Sequence, residues 1–210
     1  MRAWFSKVAV AAVAATALAS TARANLVTNG DFSAGQTPWS FTGNVTTFTS
    51  ADYDACCATG NTGTGRFAAF GGGDGPDDGR IVQTIPTVAG MDYALTFQYG
   101  AFSSPAGRGT QSLAVSAGNL ATTITSAPSV RDQTSLFTTY SLSFRANGPA
   151  TTLTFADAST MTTGIDGLLD TVEVTNMPEP LSLALIGSGL AGLGLARSRK
   201  SRTTLPTVSQ

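Results

Sequence analysis

The chain has no histidine. That removes the usual general acid–base group at neutral pH and with it every serine–histidine–aspartate arrangement. Cysteine is nearly absent too: the only two are adjacent, Cys56 and Cys57. Neighbouring Cα atoms lie about 3.8 Å apart, below the usual disulfide span, so a bridge between them would be strained. The pair reads either as a loop feature with no defined role or as a bond between two molecules in an oxidising compartment. A zinc site would need further nitrogen or sulfur ligands that the chain does not contain. Lysine is missing from the whole middle: Lys7 and Lys200 both stand in the terminal segments. Residues 25–177 carry five arginines, Arg66, Arg80, Arg108, Arg131 and Arg145, against twelve carboxylates, a net charge of −7. Nucleic-acid binding is excluded on that balance, because such affinity comes from neutralising phosphates. An acidic surface suits solubility outside the cell or loops that hold a cation.

The two ends differ from what lies between them. Arg2 and Lys7 precede a short apolar run over 8–19, and Ala22-Arg23-Ala24 follows with small residues at both positions that signal peptidase inspects. This is the pattern of a secretory signal, residues 1–24, with Asn25 as the first mature residue. The run is too short for a spanning helix, which needs about 20 apolar residues. At the other end, Pro178-Glu179-Pro180 opens an uncharged stretch from Leu181 to Ala196, closed by Arg197, Arg199, Lys200 and Arg202; residues 203–210 are a polar tail. A basic cluster after an apolar span stays on the cytoplasmic side, which leaves the preceding domain outside. Within the span, Gly187-Ser188-Gly189-Leu190-Ala191-Gly192 matches a dinucleotide fingerprint. No strand precedes it and no acid follows it, so the glycines read as small residues of a single membrane helix.

Residues 25–177 read as one all-β domain of antiparallel strands. Runs of β-branched and aromatic residues are separated by Gly, Pro, Asn and Asp. The clearest are 45–49, 67–70, 80–85, 92–100, a hairpin about Ala117-Gly118-Asn119, 137–145, 153–155 and 168–175. Period-two alternation predicts a core containing Tyr93, Leu95, Phe97, Leu142, Phe144 and Val172. It also places Leu168, Asp170, Val172 and Val174 on one face. Loops are expected at 52–65 and 71–79. Strands of this length and spacing suit an antiparallel sandwich of the jelly-roll kind. The carboxylates Asp52, Asp54, Asp74, Asp77 and Asp78 lie in loops, with nothing to fix the separation a glycosidase requires, so the domain reads as non-catalytic.

Two resemblances add to this reading. Pro178-Glu179-Pro180, the Leu181–Ala196 span and the Arg197–Arg202 cluster resemble the PEP-CTERM sorting signal. That resemblance implies an exosortase as processing partner, a transient membrane anchor, and a final place at the cell surface or in the extracellular matrix. The domain itself resembles carbohydrate-binding and galactose-binding-like jelly rolls. The resemblance rests on Asn29-Gly30-Asp31-Phe32 with Trp39 soon after, on Gln83-Thr84-Ile85 leading to Tyr93-Ala94-Leu95-Thr96-Phe97, and on Asp170-Thr171-Val172-Glu173-Val174. It implies no required cofactor, a structural calcium held by Asn29, Asp31 and Asp170, and an extracellular polysaccharide as partner. Ser33 stands where those domains carry a glutamate. Stacking on sugar rings would fall to Trp39, Tyr53, Tyr99 and Phe102. Two function classes follow: a carbohydrate-binding surface protein, or a structural or adhesive coat protein without a small-ligand site.

Overall fold

The computed structural model describes residues 23–53, 65–131 and 136–177. Both ends of the chain and the Cys56-Cys57 pair therefore lie outside the described residues. Among the described residues no helix is long and apolar enough to cross a membrane.

Ten strands follow in chain order: β1 (Ser40–Thr42), β2 (Val45–Thr49), β3 (Arg66–Phe70), β4 (Arg80–Pro86), β5 (Asp92–Ser103), β6 (Ser112–Ala117), β7 (Leu120–Thr125), β8 (Thr138–Arg145), β9 (Ala150–Asp157) and β10 (Ile165–Asn176). They form two five-stranded sheets, ordered β1-β4-β9-β6-β7 and β2-β3-β10-β5-β8. Every ladder is antiparallel. The all-β antiparallel sandwich expected from the alternation is what the chain forms. Only the short β1 and the single-turn 3₁₀ helices at Ser50–Tyr53 and Gly72–Asp74 were not legible as elements.

The core lies between the sheets and uses the predicted faces. Tyr93, Leu95, Phe97 and Phe144 from the second sheet meet Ile81, Ile85, Leu113, Leu153 and Phe155 from the first. Leu142 packs against this cluster while half-buried, and Val172 is fully buried in it. Phe97 stacks on Tyr140 at 5.6 Å and meets Phe155 edge-on at 5.2 Å. Such aromatic pairs add about 0.5–1.5 kcal/mol each beyond burial.

One face assignment needs correcting. The ladder between β10 and β5 shifts register between Asp170 and Glu173, and Thr171 adopts φ +50°. This is a β-bulge: one extra residue in β10 flips the strand. Leu169, Val172 and Val174 therefore face the inter-sheet core, while Leu168 faces a second cluster outside it. Leu168, Asp170, Val172 and Val174 do not share a face.

The bulge has a partner in the N-terminal segment. β3 pairs with β10 only over Gly167–Leu169, so the later half of β10 would present an open edge. Residues 25–30 fill it: Leu26 N–H donates to Val174 O at 2.9 Å, and Val172 N–H to Gly30 O at 2.9 Å. A Cβ on Gly30 would stand 2.0 Å from Val172 O, so only glycine allows this approach. Buried Gln83 in β4 ties the same segment to the first sheet. Its amide donates to Thr28 O and accepts from Thr28 N–H, both at 2.9 Å.

Candidate ligand-binding site

The outer face of the first sheet is bare. Alternation sends the apolar residues of β4, β6 and β9 inward and leaves small or hydroxylated ones outside. In register across the sheet run Thr42, Arg80, Ala156, Ala114 and Thr123. The next outward row is Ser40, Val82, Thr154, Ser116 and Ala121. Between these rows an open groove of about 580 Å³ runs over β4, β9, β6 and β7. That volume is within the range of small-molecule sites.

Two side chains in the groove are unusual. Thr154 is only 9% exposed, yet among the described residues its hydroxyl makes no hydrogen bond. That hydroxyl opens to solvent in the groove, unlike the Thr171 hydroxyl, which is buried without a partner. Arg80 borders the same groove, and among the described residues its guanidinium has no ion pair or hydrogen bond. Arg145 on the second sheet shows the ordinary alternative, a two-pronged pair with Asp92 at 2.8 and 2.9 Å that holds the Asp92 carboxyl below its usual range. Among the described residues no carboxylate lines the groove.

The aromatic candidates are corrected by burial. Trp39 is 5% exposed, wedged between Phe32 and Phe155, with its indole N–H donating to Asn29 O at 3.0 Å. Tyr99 is fully buried against the inter-sheet core. Tyr53 and Phe102 belong to the second cluster, their rings 5.0 Å apart, with Phe48 and Phe67 each 5.4 Å from Tyr53. None offers a face to a sugar ring. Both tyrosine hydroxyls are pushed up by burial.

The calcium candidates divide. Asn29 is fully occupied in shaping its own turn. Its amide donates to Gly35 O at 2.8 Å and Thr37 O at 2.7 Å, its side-chain oxygen accepts from Ala34 N–H at 2.9 Å, and its carbonyl takes the Trp39 bond. It is a turn former rather than a cation ligand. Asp31 stands near enough to Asp170 at the bulge for their charges to interact. Burial pushes Asp170 up to about 7, and the charge of Asp31 adds to this. Asp31, Thr171 and Glu173 line a cleft of about 280 Å³ beside it, and the Thr171 hydroxyl is buried without a partner. Among the described residues no three acidic, histidine or cysteine side chains form a metal cluster. Calcium accepts backbone and hydroxyl oxygens as well, so the donor set fits a hard cation with Asp31 and Asp170 as its anionic ligands.

No curated protein matches the sequence. Among solved structures, the chain is similar to the carbohydrate-binding module TmCBM61 in complex with β-1,4-galactotriose, with TM-score 0.49, 12% identity, and coverage of 73% of this chain and 99% of that one. It is also similar to a family 16 carbohydrate-binding module, with TM-score 0.44, 16% identity, and coverage of 72% and 99%. A CBM4 structure aligns with TM-score 0.41, 15% identity, and coverage of 71% and 99%. A family model described as "Protein of unknown function (DUF642)" matches residues 25–175, and the chain belongs to that family.

Proposed function

We propose that this protein is an exported, non-catalytic surface or matrix protein whose sandwich, of the jelly-roll kind, binds a carbohydrate chain along the outer face of the first sheet. The observation that carries this reading is the open groove itself, lined by small and hydroxylated side chains, with the Thr154 hydroxyl open to it and without a partner among the described residues. Serine and threonine hydroxyls both donate and accept, as sugar hydroxyls do. The neighbouring alanines leave room for a ring to reach the sheet. Support for a non-catalytic role comes from the groove itself, since glycoside hydrolysis needs two carboxylates at a fixed separation and among the described residues the groove is lined by none. The structural or adhesive alternative draws on one observation, the lack of any aromatic among the described residues of that lining. A glycan array with the intact protein decides between them: retention of a polysaccharide class supports binding, and uniform absence of retention leaves the coat-protein reading.

Calcium is proposed as a structural ion at Asp31 and Asp170, pinning the N-terminal segment to the bulge of β10. Export and sorting are proposed from the ends of the chain. Signal peptidase would leave Asn25 first, and an exosortase would act at Pro178-Glu179-Pro180 while Leu181–Ala196 holds the chain in the inner membrane. Replacing Pro178, Glu179 and Pro180 with alanine tests this in a host with an exosortase. The parent is then trimmed and released, and the variant accumulates as a longer membrane-bound form. Equal processing of both would remove the sorting role.

A further inference from the structure

The groove also carries a positive charge, Arg80, and among the described residues its lining holds no carboxylate. Arg80 is exposed and flanked in register by Thr42 and Ala156. The carboxylates of the strands lie elsewhere: Asp92, Asp166, Asp170 and Glu173 belong to the second sheet. Asp157 follows Ala156 in β9 and alternates away from the groove, where its charge helps to raise Tyr99.

Building on the carbohydrate-binding reading, we infer that the groove selects acidic polysaccharides, with Arg80 engaging a carboxylate on the sugar and Thr154 and Ser116 bonding its ring hydroxyls. Arginine suits this task because its planar fork matches a carboxylate with two parallel hydrogen bonds. Magnitudes decide whether the domain's net negative charge would forbid it. Stacked sheets lie about 10 Å apart, so acids of the second sheet stand a Debye length or more from the groove at physiological salt, where it is about 8 Å. Their repulsion is screened, and the carboxylate of the nearer Asp78, two residues before Arg80, accepts from Asn44 N–H at 2.7 Å, whereas contact with Arg80 is direct. Strands in a sheet are about 4.8 Å apart, which puts Thr123, three strands from Arg80, about 14 Å away. The groove therefore spans more than one sugar of a chain, with Arg80 and Thr154 on adjacent strands at one end and Thr123 at the other. Sulfate esters present a similar oxyanion, and the test separates the two sources.

The experiment is affinity electrophoresis of the intact protein against alginate, polygalacturonate and glucuronan, each beside its carboxyl-reduced neutral form, and against dextran sulfate. The expected result is at least tenfold stronger retardation by one uronate polymer than by its neutral counterpart. In Arg80→Gln that preference falls to within twofold, with an unchanged Tm to show intact folding. Thr154→Val weakens the acidic and neutral polymers alike. Retardation by dextran sulfate alone, abolished in Arg80→Gln, would assign the anion to a sulfate ester. Equal retardation by acidic and neutral forms, or a preference that survives Arg80→Gln, overturns the inference while leaving carbohydrate binding standing. No retardation by any polymer, together with a blank glycan array, overturns both.

Discussion

The two outer faces of the sandwich obey the same alternation and end up opposite in kind. On the first sheet the outward residues that line the groove are small, hydroxylated or Arg80, and among the described residues no hydrophobic cluster covers them. On the second sheet the outward residues of β3, β5 and β10 include Phe67, Ala69, Phe102 and Leu168, and these carry a second hydrophobic cluster closed by Tyr53 and Leu136. Gly100 shows how tightly that cover sits: a Cβ there would lie 1.9 Å from Leu136 O. Toward the other end of the same face, the N-terminal segment and the bulge bury Asp170. Covering a face commits its side chains to packing, whereas the open face leaves the Thr154 hydroxyl and the Arg80 guanidinium in contact with solvent.

The largest test of this contrast is a matched pair of truncations. Phe67→Ala should cost about 3–5 kcal/mol in denaturant unfolding, the usual penalty for emptying a buried aromatic site. Thr84→Ala, on the bare face, should stay within about 0.5 kcal/mol. Equal costs would mean that the two faces do not differ as described. The cation comes next. Added calcium should raise the Tm of the protein, by the equivalent of about 2.7 kcal/mol at a hundredfold excess over Kd, and Asp170→Asn should abolish the rise. A Tm indifferent to calcium in the parent would remove the ion from the account.

A smaller effect concerns Asp166, on the covered face. Burial pushes it up to about 6, with the charge of Asp74 adding to the rise and a hydrogen bond from Tyr53 opposing it. Its folded value lies above the unfolded value of 3.8, so between those values the folded state holds the extra proton. Stability should therefore fall as pH climbs from about 4 to about 6. The parent should lose more stability over this window than Asp166→Asn does, and equal losses would exclude the carboxyl as the source.

Much of this was readable beforehand and some was not, for physical reasons. Alternation through Tyr93, Leu95 and Phe97 identifies an inter-sheet face because burial follows the period of a strand. Thr171 gave no warning of the bulge, since a β-branched residue is a poor candidate for positive φ. Tyr53 and Phe102 resemble exposed platforms in sequence, because the cluster that buries them is assembled from distant segments. Asn29 carries the right chemistry for a ligand but spends it on its own turn. Thr154 and Arg80 looked ordinary: only the register across β4, β9 and β6 brings them to one groove, and only three-dimensional burial shows that Thr154 lacks a partner.

The most direct test of the central claim is to fill the groove and measure binding. Ala114 sits between Ala156 and Thr123, and its outward methyl lines the groove. Ala114→Trp would occupy that space from the solvent side while leaving the inter-sheet core untouched. Titrated calorimetrically with the polysaccharide that the array identifies, the variant should bind at least tenfold more weakly than the parent at an unchanged Tm. Undiminished affinity in a folded Ala114→Trp protein would contradict the assignment of the outer face of the first sheet as the binding surface.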